Sequence, residues 1–301
     1  MTRPSPTHRR PPAEHAIGPA LARGLLADQH PDLADLEIRL AAHGWDNVTF
    51  RLGEDLALRL PRRAVAAELL ATEQRWLPGL ARNLPIATPA PLRIGAPGRG
   101  YPWGWSVVPW LPGLPAERAP LKADQAPRLG AFLKALHREA PAAAPFNPYR
   151  SVGLIERGRI TDPTLERVAA LRPEVIDQTV RRTWAEAVAT EVDIAPTWIH
   201  GDLHARNLLS DQGVISGVID WGDMARGDPA MDLYSLWMLL PDAHARAAAL
   251  QACGGISAAT LRRARGWAVA MGVVLMEAGM ADDPGLAAMG ERTLKALGEG
   301  P

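Results

Sequence analysis

One stretch, Trp198–Leu233, holds six residues able to do chemistry: His200, Asp202, Asn207, Asp220, Asp228 and Asp232. Asp202 and Asn207 lie five positions apart across a short loop flanked by apolar residues. Asp220 follows the strand-like run Val214–Ile219. A hairpin turning at Asp211-Gln212-Gly213 would bring Asp220 back beside Asn207. A carboxylate and an amide oxygen, with no cysteine near them, are hard ligands that suit Mg²⁺ and the polyphosphates it binds.

His200 and His204 alternate with Asp202, which also fits a metal-dependent hydrolase, because zinc sites combine histidine with carboxylate. No third histidine lies near by, and that reading gives Asn207 and Asp220 no task. Structural roles stay open for the same residues: a turn for Asn207, a strand end for Asp220, a helix start for Asp228-Pro229 with Asp as N-cap and Pro at N1. Asp232 would add favourable charge to the first turn of that helix.

The pattern His200-x-Asp202-Leu203-x-x-x-Asn207 has the spacing of a kinase catalytic loop, and Asp220-Trp221-Gly222 resembles the metal-binding tripeptide of kinases. The stretch resembles the aminoglycoside phosphotransferase and choline kinase family more closely still. That family carries H-G-D-x-x-x-x-N and then I-D, G-D-P-x-x-D-L, as here at Ile219–Leu233. Gly44-Trp45-Asp46-Asn47 and Trp105–Gly113 resemble its antibiotic-kinase members, so the resemblance spans roughly residues 33–240.

The resemblance implies phosphoryl transfer from ATP or GTP to a hydroxyl of a small molecule, an antibiotic such as an aminoglycoside, with a macrolide or a homoserine- or choline-type metabolite as the alternative acceptor. It makes Asp202 the catalytic base, because the acceptor oxygen must be oriented and lose its proton. Asn207 and Asp220 become the Mg²⁺ ligands. His200 becomes a buried support, Asp232 a group bonding the backbone of the catalytic loop, and Asp228 the start of the following helix. In the N-terminal part it pairs Arg59 with Glu73 and places Asn47 near a phosphate. It assigns the nucleotide base to the Pro109 carbonyl and the Leu111 N–H.

Arg59 departs from the lysine common in the family; no lysine precedes Lys122. Arginine can fork onto phosphate oxygens instead. A protein kinase is disfavoured, since Gly201 stands where H-R-D has arginine and seven residues between Asp220 and Asp228 leave no activation segment. A non-catalytic nucleotide-binding relic is a third reading, opposed by the presence of all three of Asp202, Asn207 and Asp220.

The elements around these residues follow from periodicity. Residues 1–12 are rich in Pro and Arg and read as a disordered tail. A helix is predicted over 17–27, then three alternating strands, Leu36–Leu40, Val48–Leu52 and Leu56–Leu60, form an antiparallel meander. A helix over 64–80 presents Leu69, Trp76 and Leu80 on one face, with Glu73 among them or at the edge in water. Two more strands are predicted at Pro91–Gly95 and Trp105–Val108, then a Pro-rich linker, Pro109–Pro120. Helices follow around Leu129–Leu136, over Val168–Val192, from Asp228, and over Thr260–Ala278 and Gly285–Leu297. Strands then helices give an α+β, two-lobed protein. The resemblance makes this a protein-kinase-like fold, with a small antiparallel sheet lobe over 13–111 that binds nucleotide and a larger, mainly helical lobe over 112–301 for catalysis and acceptor.

Composition excludes other classes. Lys and Arg number 33 and Asp and Glu 33, so nothing in the net charge points to nucleic acid or an anionic membrane. The single cysteine, Cys253, cannot form an internal disulfide, and no signal peptide is evident, so a cytoplasmic location is expected. The apolar run Trp267–Ala281 is too short and too polar to span a bilayer. From Thr197 onward 12 acidic residues face 8 basic ones, a surplus that would suit a cationic acceptor.

Overall fold

Alternation decides the first sheet. In β2 (Asn47–Leu52) every second residue, Val48, Phe50 and Leu52, is buried, as a half-covered strand requires. The computed structural model describes residues 11–299, so the tail expected over 1–12 lies, up to residue 10, outside the described residues. The chain divides into two units. One runs up to Asn83 and resumes over Ala87–Pro112; the other holds Leu84–Ile86 and the chain from Gly113.

In the first unit α1 (Pro19–Gln29) precedes β1 (Ile38–His43), β2, β3 (Leu56–Pro61), α2 (Ala64–Ala81), β4 (Arg93–Gly95) and β5 (Trp105–Pro109). The strands form one antiparallel sheet in the order β1-β2-β3-β5-β4. Leu25, Phe50, Leu58, Trp105 and Val107 lie in its core. The buried face of α2 is the predicted one only in part, at Glu73 and Leu80. Ala66, Leu70, Glu73, Leu77 and Leu80 are covered, whereas Leu69 and Trp76 are half-buried. Leucines on two sides made the stripe ambiguous, and the true face puts Glu73 at its centre, 1% exposed, not at a wet edge.

The second unit begins with β6 (Leu114–Pro115), a short strand inside the segment read as an irregular linker. It pairs with the strand Leu208–Asp211 at Leu114↔Ser210. Then come α3 (Ala126–Leu136), α4 (Leu154–Leu171) and α5 (Gln178–Val188). The last two correct the single helix predicted over Val168–Val192. Arg157, Thr161 and Thr164 are among the residues α4 buries, so its apolar period is faint, and Asp177 caps a fresh helix through the Val180 N–H. Four short strands follow: β7 (Thr197–Ile199), β8 (Leu208–Asp211), β9 (Val214–Val218) and β10 (Ala225–Gly227). They lead to α6 (Ala230–Leu233), α7 (Ser235–Leu239), α8 (Ala243–Cys253), α9 (Ala258–Asp282) and α10 (Pro284–Ala296).

Helix α9 is the post of this unit, with α4, α5, α6 and α10 packed on it. The α9–α10 approach needs glycine: a Cβ on Gly279 would lie 2.2 Å from the Ala287 nitrogen. Among the described residues no helix is long and apolar enough to cross a membrane. The whole is a mixed α and β protein with a small antiparallel sheet unit and a larger helical one, the order that the sequence predicted.

Candidate active site

Two hairpin-like pairings present the site. β7 and β10 are antiparallel partners, and β8 and β9 form a tight hairpin. Its turn places Gln212 at φ 49° and Gly213 at φ 86°, the left-handed pair that matches strand twist. The loops 200–207 and 219–224 therefore leave the same small framework. The Ile219 N–H donates to the Asn207 carbonyl at 2.8 Å, which sets Asp220 next to the Asn207 segment.

Loop 200–207 hangs on one buried carboxylate. Asp232 accepts the backbone N–H groups of His200 at 2.7 Å and Gly201 at 2.9 Å. His137 Nε2 lies 3.2 Å from the same carboxylate. His200 is fully buried, its Nδ1 accepts the Asp202 N–H, and its Nε2 faces the Ile219 carbonyl at 3.0 Å. Both ring nitrogens are thus engaged within the loops, and the imidazole cannot serve as a metal ligand. Gly201 sits at φ 82°, where an added Cβ would come within 2.6 Å of the Asp223 carbonyl oxygen, so no side chain fits there.

Asp202 is half-buried between donors. Arg150 Nη2 reaches its Oδ1 at 2.9 Å. Asn207 Nδ2 lies 3.2 Å and His204 Nε2 3.4 Å from its Oδ2. Burial alone would raise the pKa of this carboxyl, but the fields of His204, Arg150 and His200, with the Asn207 hydrogen bond, hold it below the ordinary value. Asp220 is exposed at the end of β9 and adopts φ 61°, the left-handed region that Asp and Asn tolerate best among residues with side chains.

The donor atoms of Asn207 and Asp220 are of the kind that suits Mg²⁺. The Asn207 Nδ2 is committed to the Asp202 carbonyl at 2.9 Å and to its carboxylate, which leaves the amide oxygen as the acceptor atom. No cluster of three or more His, Cys, Asp or Glu suited to a metal occurs among the described residues. Two hard oxygen donors accord with Mg²⁺, which keeps waters and substrate phosphates as its other ligands.

Asp228 caps the next element through the Ala230 N–H at 3.0 Å, but the helix starts at Ala230 with Pro229 in the cap position, one residue later than predicted. That helix also breaks at Tyr234 into α6 and α7. Arg263, 1% exposed, holds Asp228 at 2.6 Å. Asp223 accepts Asn147 Nδ2 at 2.8 Å, and burial raises its pKa.

The first unit carries the remaining predicted residues. Arg59 in β3 meets Glu73 in α2 through two parallel contacts, 2.5 Å and 3.1 Å. Asn47 opens β2 with a buried Oδ1 that has no hydrogen-bond partner among the described residues. The turn before it is fastened by Arg62, which donates to the Gly44 carbonyl, and by the Arg63–Asp46 ion pair at 2.8 Å. Pro109 ends β5 opposite Leu56, and Leu111 is half-buried beyond it. Trp105 is fully buried and donates to the Ala96 carbonyl, so it packs the core; Trp110 is exposed beneath the Arg51 guanidinium at 4.3 Å. A shallow depression of about 560 Å³ near Trp110, lined also by Arg39, Arg51 and Asp55, contains none of the predicted site residues.

The sequence reading missed Arg150 and Asn147. Asn147-Pro148 is a turn signal, and Asn147 Oδ1 does accept the Tyr149 and Arg150 N–H groups. Nothing in their spacing links that turn to Asp202, 52 residues on.

Residues 37–267 match the sequence profile described as APH, phosphotransferase enzyme family. No curated protein matches the chain. Among solved structures it is similar to wild-type aminoglycoside 2'-phosphotransferase-IIIa in complex with GDP, at 19% identity and TM-score 0.66, covering 92% of this chain and 97% of that one. It is similar also to the apoenzyme of macrolide 2'-phosphotransferase MphH from Brachybacterium faecium, at 25% identity and TM-score 0.59, covering 92% and 97%. A third is ADP-bound aminoglycoside phosphotransferase APH(2'')-Ib, at 17% identity and TM-score 0.58, covering 93% and 99%.

Proposed function

The chain belongs to the phosphotransferase enzyme family and is a kinase-type phosphotransferase; from that premise we propose that it moves the γ-phosphate of ATP or GTP to a hydroxyl of a small-molecule antibiotic. Asp202 orients the hydroxyl and takes its proton. The acceptor oxygen forms its bond to phosphorus as the bond to the bridging β,γ-oxygen breaks, and the nucleoside diphosphate leaves. Asn207 and Asp220 hold Mg²⁺, which when bound neutralises charge on the transferred phosphate. Asp232 and His200 keep the loop in shape.

In the first unit, which we assign to the nucleotide, Glu73 aims the Arg59 guanidinium at the phosphates, Asn47 lies near them, and the Pro109 carbonyl and Leu111 N–H take the base. A cytoplasmic site of action supplies the nucleotide. The observation that carries this reading is the hydrogen bond of Ile219 to Asn207, which joins the loop of the proton acceptor to the loop of Asp220. GDP and ADP complexes among the structural relatives support the nucleotide, and the macrolide relative supports an antibiotic acceptor.

The test is incubation with Mg·ATP or Mg·GTP and candidate acceptors, read by mass spectrometry for one added phosphate. Nucleotide turnover that survives Asp202→Asn unchanged would sink the proposal.

A further inference from the structure

Many carboxylates of the second unit are already held in ion pairs or hydrogen bonds. Asp228 and Asp193 hold Arg263, Glu277 holds Arg167, and Asp283 shares Arg206 with Glu117. Glu291 bridges Arg172 and Lys295. Asp232 is spent on two backbone N–H groups and His137. These carboxylates are not at the disposal of a cationic ligand.

At the proton acceptor itself, positive charge is in place already. Arg150 lies between two carboxylates, 2.9 Å from Asp202 and 3.5 Å from Asp223, with its side chain 15% exposed. Its Nη1 also contacts the Met271 sulfur at 3.0 Å. Asn147 fixes this arrangement from both ends, because it accepts the Arg150 N–H and donates to Asp223. Behind Arg150 stands Arg157, 4% exposed. Its Nη1 donates to the Tyr149 carbonyl at 3.4 Å, and its Nε has no hydrogen-bond partner among the described residues. Burial first, and then the like charge of Arg150, draw its pKa down to about 10. Asp202 and Asp223 thus share the guanidinium of Arg150, with Arg157 buried behind it.

We propose that Arg150 is the specificity-determining residue on the acceptor side of Asp202, turning polycationic acceptors away. This rests on the phosphotransfer reading above. An amine-rich acceptor would have to eject Arg150 to reach the carboxylates, or face it across the site, and like charges set opposite each other are strongly unfavourable.

The test compares kanamycin, a polycation, with erythromycin, which has one amine, as acceptors for Mg·ATP and Mg·GTP. Wild type is expected to favour erythromycin by about tenfold or more in kcat/KM, and Arg150→Ala to raise kanamycin turnover relative to erythromycin by about tenfold, as removal of a repulsive element should. Arg150→Lys keeps the charge and should rank acceptors as wild type does, with melting temperatures checking that all variants fold. Preference of wild type for kanamycin, or an Arg150→Ala enzyme that gains no kanamycin turnover, overturns the proposal. Failure of the underlying reading looks different: nucleotide turnover would then be indifferent to Asp202→Asn in every variant.

Discussion

The carboxylate of Asp232 accepts the backbone N–H of His200 at 2.7 Å, and neither residue is exposed to solvent. Removing that acceptor strands two buried N–H groups and His137. Asp232→Ala should therefore cost about 3 kcal/mol in chemical denaturation. Activity should fall with it, although Asp232 has no assigned contact with substrate. Wild-type stability in this variant would show that loop 200–207 is held by something else.

Asp202→Asn preserves shape and removes the base. Its kcat should drop by about 10² to 10⁴, the usual contribution of a positioned proton acceptor. Nucleotide affinity, measured by calorimetry, should stay near wild type.

Arg59 and Glu73 are 11% and 2% exposed and joined at two points. Taking away one partner leaves the other buried without its counter-charge, so Glu73→Ala should lose about 3–5 kcal/mol. The KM for nucleotide should rise as well, since the guanidinium is no longer aimed. Arg59→Lys keeps charge but cannot fork, and an intermediate KM is expected; steady-state kinetics over nucleotide concentration decides both.

Chelation by EDTA should abolish transfer and added Mg²⁺ restore it. Asp220→Asn removes a charged oxygen ligand, so the Mg²⁺ concentration for half-maximal rate should increase. An unshifted Mg²⁺ titration would remove Asp220 from the metal site.

Asp283 gives a pH prediction. The Arg206 hydrogen bonds lower its pKa from 3.8 to about 2. The folded value lies below the unfolded one, so the stabilisation is complete above about pH 4 and drains away as pH falls toward 2. Half-exposure and solvent screening keep it modest. Asp283→Asn should be less stable than wild type at pH 7, and the two denaturation curves should converge near pH 2.

Legibility followed the strength of the local signal. Two-residue alternation gave β2 and β3 within a residue of their ends, and Asp211-Gln212-Gly213 gave the hairpin, because left-handed turn residues are chemically distinctive. Strands β7 and β10, three residues each, carry no period to read. Helix α8 escaped notice because six of its eleven residues are alanine, which leaves little contrast between faces. The Asp202–Asn207 contact and the return of the chain to Asn207 at Ile219 were readable because their spacing lies within one stretch of chain. Arg150 was not, since it reaches Asp202 only through the tertiary packing of a loop 52 residues upstream.

The left-handed backbone of Asp220 sets stability and chemistry at odds. Holding a residue with a Cβ at φ 61° costs about 1 kcal/mol that glycine would recover. Glycine would also delete the oxygens. A library sorted on heat resistance alone should therefore enrich inactive protein at this position, and thermostabilisation of this fold has to be selected under turnover.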